Sequence, residues 1–422
     1  MKPISDEERL LELNRLETQA KNNLTRTHSI VFASANHNLP VFKVDLGFPR
    51  FRMENGRTKR KQLEFRYKNP ERASELNDPS SEVAQAIQQS ILQEMAEEAD
   101  LIDLLKQGQH EPLLLRHDGY VVNGNRRLAA MRLIHDNPQK YRASVDFSYV
   151  DVARLPILEE KEIRRIEQRL QMSQDGKADY NWVDELLTIE ANIEDFGMSM
   201  PELAKDMHKQ QRTIENQLRM LKLIEIYLDR IEKPGMYFEV EGDEQAFITL
   251  AKQHRAFEGD VSKQTRLLDL SFPIIRHNEP GESKHLRIGK IAADLPNIET
   301  KIAAVLSSQN PVEDLPRKAD ILDSVPGLEK TPILQMGLDS EASELVHEAL
   351  RQVGREKDLQ DEANGPAEAV AQAATLLRNV KLTGSMTKVK QIRGQLKSIK
   401  NLSDDLLQQL ESIENSALEL DN

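Results

Sequence analysis

Residues 118–134 are Asp118-Gly-Tyr-Val-Val-Asn-Gly-Asn-Arg-Arg-Leu-Ala-Ala-Met-Arg-Leu-Ile134, an apolar strand that runs into a glycine and two arginines. The glycine, Gly124, permits a close approach of the backbone, and the apolar residues after it predict a helix. Backbone N–H groups at a helix start, joined by Arg126 and Arg127, attract anions. The stretch therefore predicts a phosphate site, although the same spacing also fits two ordinary surface arginines.

The segments around this stretch predict a small α/β domain. Ser5 and Glu8 predict a capping box for a first helix, which is either an arm or a packing helix. A helical region is predicted from Ser81 to Leu105, and the basic segment Arg50–Lys68 is predicted to be a loop. The predicted strands are Val31-Phe32, Val41–Leu46, Pro112–Arg116 and Ala143–Val150, with a tight turn at His117-Asp-Gly119 between the third strand and the opening stretch.

Composition excludes several classes of protein. The 422 residues allow two to four domains, and 30% charged with 5% aromatic residues indicate a helix-rich, soluble protein. The absence of cysteine excludes disulfides, thiolate metal sites and a cysteine nucleophile. No zincin, serine-hydrolase or P-loop motif occurs. No signal peptide or membrane span is recognisable, so we expect a cytoplasmic protein without a membrane partner.

The net charge of −13 conceals blocks of opposite sign. Arg50–Lys68 and Arg378–Lys400 are basic, whereas Asp339–Glu368 is acidic. Local basic patches therefore coexist with an acidic whole, and a protein that coats DNA uniformly is disfavoured.

The rest of the chain is predicted to be mostly helical. Helices are expected from Pro156 to Ile231, with a break at Lys233-Pro-Gly235. After this break, Met236–Gln309 is predicted to be mostly helical, with a less regular patch at Ser271–Ile275. An irregular connection is predicted at Asn310–Pro332, and a second break at Asn364–Pro366. Helices are predicted at Ala367–Val380 and Lys388–Leu420.

Residues 199–223 fit a helix-turn-helix. Ser199 and Glu202 form the expected capping pair, and small Ala204 lets two helices cross closely. His208 stands at the turn, where glycine is usual, and histidine tolerates positive φ better than most residues. The alternative is a helical hairpin that serves only packing.

The second helix of this motif carries polar side chains of the kind that contact base edges and phosphates. We predict that DNA is bound by Lys205, Lys209, Gln210, Gln211, Arg212, Thr213, Asn216 and Arg219.

An apolar seam near the C-terminus recurs at intervals of three and four residues. It consists of Val389, Ile392, Leu396, Ile399, Leu402, Leu406, Leu410 and Ile413. The seam predicts dimerisation, or else packing on the chain's own core. The flanking lysines and arginines would bind DNA phosphate or pair with the acidic block.

The order of these signals resembles the ParB family of DNA-partition and regulatory proteins, over roughly Asn69 to Leu223. Asn69-Pro-Glu-Arg72 is similar to the family's Asn-Pro-x-x-Arg box, with its arginine one residue early. Leu104–Leu115, which contains Gly108, is similar to the segment where a helix meets a glycine and then a strand. Gly124-Asn-Arg-Arg-Leu-Ala-Ala130 is similar to the Gly-Glu-Arg-Arg-x-x-Ala box.

The resemblance implies an α+β ParB/sulfiredoxin-like N-terminal domain, followed by a mostly α-helical chain with a helix-turn-helix and C-terminal helices. It also implies that the N-terminal domain binds CTP or another nucleoside triphosphate with Mg²⁺, as a switch that closes two subunits around DNA. The residues it assigns to the nucleotide are Asn69, Arg72, Gly108, Gly124, Asn125, Arg126 and Arg127.

Departures from the family pattern put hydrolysis and CTP specificity in doubt. Asn125 stands where the family box has glutamate. The family's Glu-Asn-x-x-Arg motif corresponds to Glu167–Gln171, where Gln168 and Gln171 replace its asparagine and arginine. Sulfiredoxin shares the fold, but its chemistry needs a cysteine.

We therefore expect a homodimer that binds double-stranded DNA and a nucleotide in partition, mobile-element maintenance or transcription regulation, with a partner ATPase or defence proteins as further partners. The alternatives are an enzyme that hydrolyses a nucleotide or nucleic acid, such as a weak CTPase, and a non-catalytic adaptor. No catalytic residue and no metal ligand is assigned. The predicted domains are an N-terminal arm (1–30), the ParB-like domain (31–155), the helix-turn-helix domain (156–235), a helical domain (236–310), a linker and acidic region (311–366) and a C-terminal segment (367–422).

Overall fold

The computed structural model has an N-terminal α/β region followed by a mostly helical chain that contains a helix-turn-helix, so the predicted fold class is confirmed. Contacts divide the chain into two compact units, residues 1–353 and 354–422. The structure describes residues 5–33, 35–54, 56–97, 101–172, 181–277, 279–309, 337–380 and 386–420. The predicted irregular connection at Asn310–Pro332 lies outside the described residues. Among the described helices, none combines the length and the apolar character that a membrane crossing needs.

A mixed six-stranded sheet forms the centre of the α/β region. Its strands are β1 (Thr27–Phe32), β2 (Ala35–Asp45), β3 (Arg50–Phe51), β4 (Leu113–Leu115), β5 (Tyr120–Asn123) and β6 (Tyr149–Arg154). They follow the order β1-β2-β6-β4-β5-β3. Neighbouring strands pair antiparallel, except that β4 runs parallel to β6 and β3 runs parallel to β5.

Helices cover both faces of this sheet. The helices of the region are α1 (Asp6–Asn22), α2 (Gly56–Lys68), α3 (Glu82–Glu97), α4 (Leu101–Leu105), α5 (Asn125–Asp136) and α6 (Pro138–Tyr141). On one face, Leu13 of α1, Leu92 of α3 and Leu128 of α5 pack with the sheet in one cluster. On the other, α7 (Glu160–Met172) packs Ile163 and Ile166 against a second cluster. Alternate residues of each strand supply the two clusters, as the pleat requires.

The first helix is a packing helix, and its predicted capping box is present. Glu8 Oε2 accepts from the backbone of Ser5 at 3.0 Å, and the Ser5 hydroxyl accepts from the backbone N–H of Glu8 at 3.2 Å. Leu13 is fully buried. Burial of this apolar face fixes the helix to the domain, which an extended arm would not require.

The prediction of a loop for the basic segment Arg50–Lys68 is wrong, because the segment forms β3 and α2. Acidic partners far along the chain stabilise the charges of α2: Lys59 lies 3.4 Å from Glu190, and Arg60 lies 3.3 Å from Asp184. These partners belong to the helical region, so the sequence of Arg50–Lys68 alone could not indicate them.

The predicted strand at Ala143–Val150 is displaced toward the C-terminus. The strand β6 begins only at Tyr149, since the preceding residues form a turn. In that turn Asp146 Oδ1 accepts from the backbone N–H of Ser148 at 3.0 Å, and the Ser148 hydroxyl donates to Oδ2 at 2.6 Å. Local bonds of this kind compete with strand pairing.

The helical region is built around a large apolar core. Its helices after α7 are α8 (Trp182–Glu194), α9 (Met200–Asp206), α10 (Gln211–Arg230), α11 (Glu244–Ala256), α12 (Val261–Arg276), α13 (Lys284–Ala293), α14 (Leu295–Gln309), α15 (Ser340–Arg378) and α16 (Met386–Leu420). Leu187, Tyr227, Phe247 and Phe272 lie in this core, together with Val346 from the start of α15.

Two predicted interruptions are wrong, because both segments are helical. Residues 271–275 lie inside α12, where Phe272, Ile274 and Ile275 are all buried. Their burial offsets the hydrogen bond that Pro273 cannot donate. Pro366 likewise lies inside α15, among alanine, glutamate and glutamine residues that favour helix.

His347, near the start of α15, is only 4% exposed. Its Nε2 lies 3.4 Å from Arg287 Nη1 and 3.5 Å from Glu279 Oε2. Burial, and then the charges of Arg287 and Arg351, lower the pKa of His347 to about 4. Histidine in the unfolded chain titrates near pH 6.5, so the unfolded state takes up a proton first. Stability contributed by neutral His347 is therefore full above about pH 6.5 and is lost as the pH falls toward 4.

We expect His347→Gln to flatten the pH dependence of the free energy of unfolding over this window, because the buried proton acceptor is removed. Urea unfolding of both proteins at several pH values between 4 and 7 measures this. The exposed His110 provides a matched control, and His110→Gln should keep the parent's slope. The assignment is contradicted if His347→Gln and the parent have parallel profiles.

Candidate nucleic-acid interface and nucleotide site

Gly124 connects β5 to α5 in a conformation that favours glycine. Its φ is +103°, and it caps the start of the helix. A Cβ atom at this position would lie 2.6 Å from Leu113 Cδ2 and 3.2 Å from Arg127 Nη2. Such distances leave no room for a side chain, so the backbone approaches its neighbours as closely as the sequence predicted.

Arg127 is positioned over this turn. Its Nη1 donates to the backbone carbonyl of Glu111 at 3.1 Å and lies 3.4 Å from a carboxylate oxygen of the same residue. Burial lowers the pKa of Arg127, and the charge of Glu111 opposes that shift. Arg126, next to it, is partly exposed. The turn therefore brings the Arg127 guanidinium to the start of α5, where backbone N–H groups favour anions.

Asn125 is buried and links two strands. Its Nδ2 donates to the carbonyl of Val121 at 3.0 Å, and its Oδ1 accepts from the backbone N–H of Arg52 at 3.4 Å. Asn125 is 4% exposed. The residue that replaces the family's glutamate thus holds the backbone of β5 and the end of β3 together.

A buried charged cluster lies beside Asn125. We define the Arg52 cluster as Arg52, Glu160, Arg164, Glu167 and Gln168. Arg52 pairs with Glu160 and lies 3.6 Å from Glu167, whose carboxylate accepts from Arg164 at 2.9 Å. Both polar atoms of the Gln168 side chain, Arg52 Nη1 and Arg164 Nε are buried without a hydrogen-bond partner among the described residues. Buried groups of this kind require a partner such as water or a ligand.

Two of the predicted nucleotide residues lie elsewhere. Asn69 and Arg72, at the start of the 3₁₀ segment Pro70–Asn77, face a separate groove of about 650 Å³ between α2 and α3. Local bonds hold both, since Asn69 donates to the carbonyl of Phe65 at 2.9 Å and Arg72 pairs with Glu75 at 2.9 Å. Gly108 follows α4 with φ +126°. Only Gly124–Arg127 form a contiguous group.

Sequence reasoning did not assign Arg52 to the site. Arg52 was counted as one of many charges in a predicted basic loop, and the strand β3 that precedes it was not predicted. Glu167 and Gln168 were matched to the family motif, and Glu167 does lie 3.6 Å from Arg52.

The helix-turn-helix consists of α9 and α10, packed with α8 on a small core of their own. Ser199 donates to Glu202 Oε2 from its backbone at 3.0 Å and from its hydroxyl at 2.9 Å. The backbone bond from Ser199, then the bond from Lys161 and then that from the Ser199 hydroxyl lower the pKa of Glu202 to about 2. The core consists of Ile189, Met198, Leu203, Ala204, Met207 and Ile214. The predicted capping pair is confirmed, and small Ala204 lies in this core with Leu203 and Met207.

His208 at the turn adopts φ +52°, as predicted. A non-glycine residue in this region carries a strain that glycine avoids. We expect His208→Gly to leave the fold intact and to raise the free energy of unfolding by up to about 1 kcal/mol. Urea titration followed by circular dichroism measures this. A matched substitution at an ordinary, partly exposed helical residue, Gln253→Gly, should instead destabilise. A His208→Gly protein that loses as much stability as this control would contradict the strain.

The exposed start of α10 carries most of the predicted DNA-binding residues. Lys205, Gln210, Gln211, Arg212, Thr213 and Asn216 are all exposed. Lys209 is different, because its ammonium pairs with Glu185 and donates to Gln217 at 3.1 Å. Burial lowers the pKa of Lys209. Lys209 therefore joins α8 to α10 in this structure, and its contact with DNA stays a prediction.

The helix α11 contacts the middle of α10. Arg255 donates to Asn216 Oδ1 at 2.7 Å, and Arg219 donates to Glu258 at 3.0 Å. A groove of about 700 Å³ lies between the two helices, with Lys252 and Arg255 on its α11 side. Sequence reasoning missed these two basic residues, because α11 carries no motif and the contact is made only by tertiary packing.

Comparison with known families identifies this region. Residues 178–239 match the family model described as the ParB HTH domain. This part of the chain is similar to a ParB helix-turn-helix domain. The match covers α8, α9 and α10 and leaves the rest of the chain outside it.

Two similar solved structures are of the C-terminally truncated chromosome-partitioning protein ParB from Caulobacter crescentus. The structure complexed to the centromeric parS site has 20% identity and a TM-score of 0.25, and the match covers 43% of this chain and 85% of that one. The structure complexed with CTP-gamma-S has 19% identity and a TM-score of 0.15, and the match covers 37% and 79%. No curated protein matches this chain.

The helix α7 joins the ParB helix-turn-helix domain to the Arg52 cluster. Arg164 and Glu167 of α7 belong to the cluster. On the same helix, Arg165 lies 3.1 Å from Asp206, and Lys161 lies 3.0 Å from Glu202. A single helix thus contacts both the candidate nucleotide site and the first helix of the ParB motif.

Proposed function

We propose that the chain is a ParB-like DNA-binding protein that uses CTP or a related nucleoside triphosphate as a conformational switch, in DNA partition, mobile-element maintenance or transcription regulation. The observation that carries the proposal is the exposed polar start of α10, within the segment that matches the ParB HTH domain. The N-terminal residues of such a second helix are those that reach base edges in a major groove.

The residues proposed to contact DNA differ in whether their side chains suit bases or phosphates. Gln211 and Thr213 suit base edges, whereas the exposed guanidinium of Arg212 suits a phosphate or a guanine. Lys205, on α9, suits the phosphate backbone. Arg219 is engaged by Glu258, so its contribution to DNA binding competes with that pair.

Titration of labelled genomic fragments, at one fixed salt concentration, tests this role. We expect one preferred duplex, and we expect Arg212→Ala to weaken binding to every fragment if Arg212 contacts phosphate. Arg15→Ala, which removes an exposed arginine from α1, is the matched control and should leave affinity unchanged. Equal affinity of the parent for all fragments would overturn site-specific binding.

The nucleotide proposal rests on the glycine turn and on the Arg52 cluster. The backbone at Gly124, with Arg126 and Arg127, suits phosphates, and the unpartnered atoms of Gln168 suit a polar ligand. The described residues contain no group of three or more histidines or carboxylates that could hold a metal ion. Mg²⁺ would therefore arrive with the nucleotide phosphates, where it supplies charge neutralisation.

We propose a switch rather than a hydrolase because of Asn125. The amide that replaces the family's glutamate cannot act as a base, and both of its polar atoms bond to backbone groups. An enzyme would require another carboxylate. Glu167 is buried against Arg52 and Arg164, which favours its role as a structural counter-charge.

A thermal-shift panel of CTP, ATP, GTP and UTP with Mg²⁺ tests nucleotide binding. A ligand that binds only the folded state raises the melting temperature. We expect at least one of the four nucleotides to do so, and we expect Arg126→Ala to reduce the shift. If none of them changes the melting temperature of the parent, the nucleotide site is wrong.

Homodimerisation is proposed for the C-terminal unit. The seam residues Leu396, Leu402, Leu406 and Leu410 of α16 are between 44% and 59% exposed in the single chain. An apolar seam of this length requires a partner, and a second copy of α16 would provide one.

We expect Leu406→Asp to raise the dimer dissociation constant strongly, because the carboxylate would be buried in the seam. Sedimentation velocity over a range of concentrations measures this. Gln408→Asp introduces the same charge on the opposite face of α16 and should keep the parent's dimer. A monomeric parent, or equal effects of the two substitutions, would contradict the seam as the interface.

A further inference from the structure

Arg255 of α11 touches the DNA-facing side of the helix-turn-helix. Its Nη1 donates to Asn216 Oδ1 at 2.7 Å, and its Nη2 lies 3.8 Å from Glu215 Oε2. Asn216 is the sixth residue of α10 and is exposed. Arg255 is also a lining residue of the groove between α10 and α11, together with Arg212 and Thr213. Arg255, which lies outside the helix-turn-helix, thus contacts Asn216, a side chain that is proposed to contact DNA.

The chemistry of this hydrogen bond fixes the orientation of the Asn216 amide. A guanidinium group only donates hydrogen bonds, so the atom that it contacts must be the amide oxygen. The amide nitrogen, with its two donors, is then the end of the side chain that is left for a ligand. In most asparagines the two ends can exchange by rotation, but here rotation would place two donors against each other.

We propose that Arg255 is a specificity-determining positioning residue, which makes Asn216 present hydrogen-bond donors to guanine in the major groove. The inference rests on the proposed DNA-binding function and adds the base that one side chain selects. Guanine offers two acceptors, N7 and O6, on its major-groove edge. Adenine offers N7 beside an N6 donor, and an asparagine that pairs with both must turn its oxygen toward N6, whereas Arg255 holds the oxygen of Asn216 toward α11.

Removal of Arg255 should therefore change which base is preferred, and not only the affinity. In Arg255→Ala the Asn216 oxygen is released, so the amide can make the two-bond contact with adenine. The preference at one base pair then moves from guanine toward adenine by about tenfold, the size of a single good base contact. A residue that merely stabilised the fold would weaken all sequences alike.

Lys252 provides the matched comparison. It lies on the same helix and lines the same groove, and no hydrogen bond joins it to Asn216. Lys252→Ala removes one positive charge, as Arg255→Ala does. We expect Lys252→Ala to lower affinity evenly over all sequences and to reduce the salt dependence, with the base preference unchanged.

The experiment selects bound duplexes from a randomised library with the full-length parent, Asn216→Ala, Asn216→Asp, Arg255→Ala and Lys252→Ala. Asn216→Ala identifies the base pair by loss of preference there. We expect guanine in the parent, loss of that preference in Asn216→Asp, which retains the acceptor for Arg255 but lacks the donors, and a move toward adenine in Arg255→Ala. Melting temperatures confirm that each variant is folded.

The outcomes separate this inference from the proposed function. If the parent selects no sequence at all, DNA reading itself is wrong. If the parent selects a sequence, but Arg255→Ala retains the parent's base profile or Lys252→Ala reproduces its change, the role of Arg255 is wrong and the DNA-binding function stands. A parent that prefers adenine at the Asn216 position would also overturn the inference.

Discussion

Replacement of Gly124 by alanine is expected to lower the free energy of unfolding by about 2 to 4 kcal/mol, and to abolish the melting-temperature shift caused by nucleotide. Two effects contribute. An L-residue at φ +103° is strained, and the new Cβ would lie 2.6 Å from Leu113 Cδ2. The side chains of Leu113 and Arg127 must shift to accept the methyl group, which disturbs the start of α5.

Urea titration of the full chain measures the stability change, and the nucleotide panel measures the loss of binding. Gly289 is the matched control, because it lies within α13 and a Cβ there would have open space. Gly289→Ala should be neutral or stabilising by up to about 1 kcal/mol, as expected for a helix interior. If the two glycine substitutions have the same effect, the close packing around Gly124 is contradicted.

Replacement of Arg52 by methionine is expected to lower the free energy of unfolding by about 3 to 5 kcal/mol, the usual cost of removing one partner from a buried ion pair. Arg52 is 1% exposed, and Glu167, one of its partners, is 4% exposed. Methionine fills a similar volume, so the loss in the free energy of unfolding comes mainly from the missing positive charge. Without Arg52, the buried carboxylate of Glu167 loses one of its positive neighbours and keeps its bond with Arg164.

The surface pair of Arg15 and Glu12 is the matched control, since Arg15 is about half exposed and makes the same kind of contact at 2.6 Å. Arg15→Met should cost less than about 1 kcal/mol. Losses of equal size in urea titration would mean that the Arg52 cluster is not stabilised by its charges. Restoration of stability by Glu167→Gln in the Arg52→Met background would indicate that the buried acidic charge is the cause.

Features whose physics is local could be predicted from the sequence. The capping pairs at Ser5 and Ser199 need only a hydroxyl and a glutamate three residues later, and both are present. The glycine before two arginines and an apolar helix required a tight turn, which Gly124 provides. His208 at the helix-turn-helix corner was expected to adopt positive φ, and it does.

Features that depend on distant partners could not be predicted. The basic residues of α2 indicated a solvated loop. Their partners Asp184 and Glu190 lie more than a hundred residues away along the chain, so the sequence around α2 did not show that these charges are paired. For the same reason Arg52 was not recognised as a buried residue, and Arg255 was not connected to Asn216. Asn69 and Arg72 matched a family box, but the bonds that hold them place them in another groove.

Proline was the least reliable indicator of a break. Pro273 and Pro366 both lie within helices. In α12 the neighbouring side chains are buried, and their apolar contacts outweigh one missing hydrogen bond. The energy of burial depends on the whole fold, which the local sequence does not contain.

We expect nucleotide binding and DNA binding to be linked, because α7 contacts both sites. The most direct measurement is the dissociation constant for the preferred duplex with and without saturating nucleotide and Mg²⁺, at one salt concentration. We predict a change of about fivefold or more, with an equal change in nucleotide affinity when DNA is added, since linkage is reciprocal. If both ligands bind and neither alters the other's dissociation constant, the switch is contradicted.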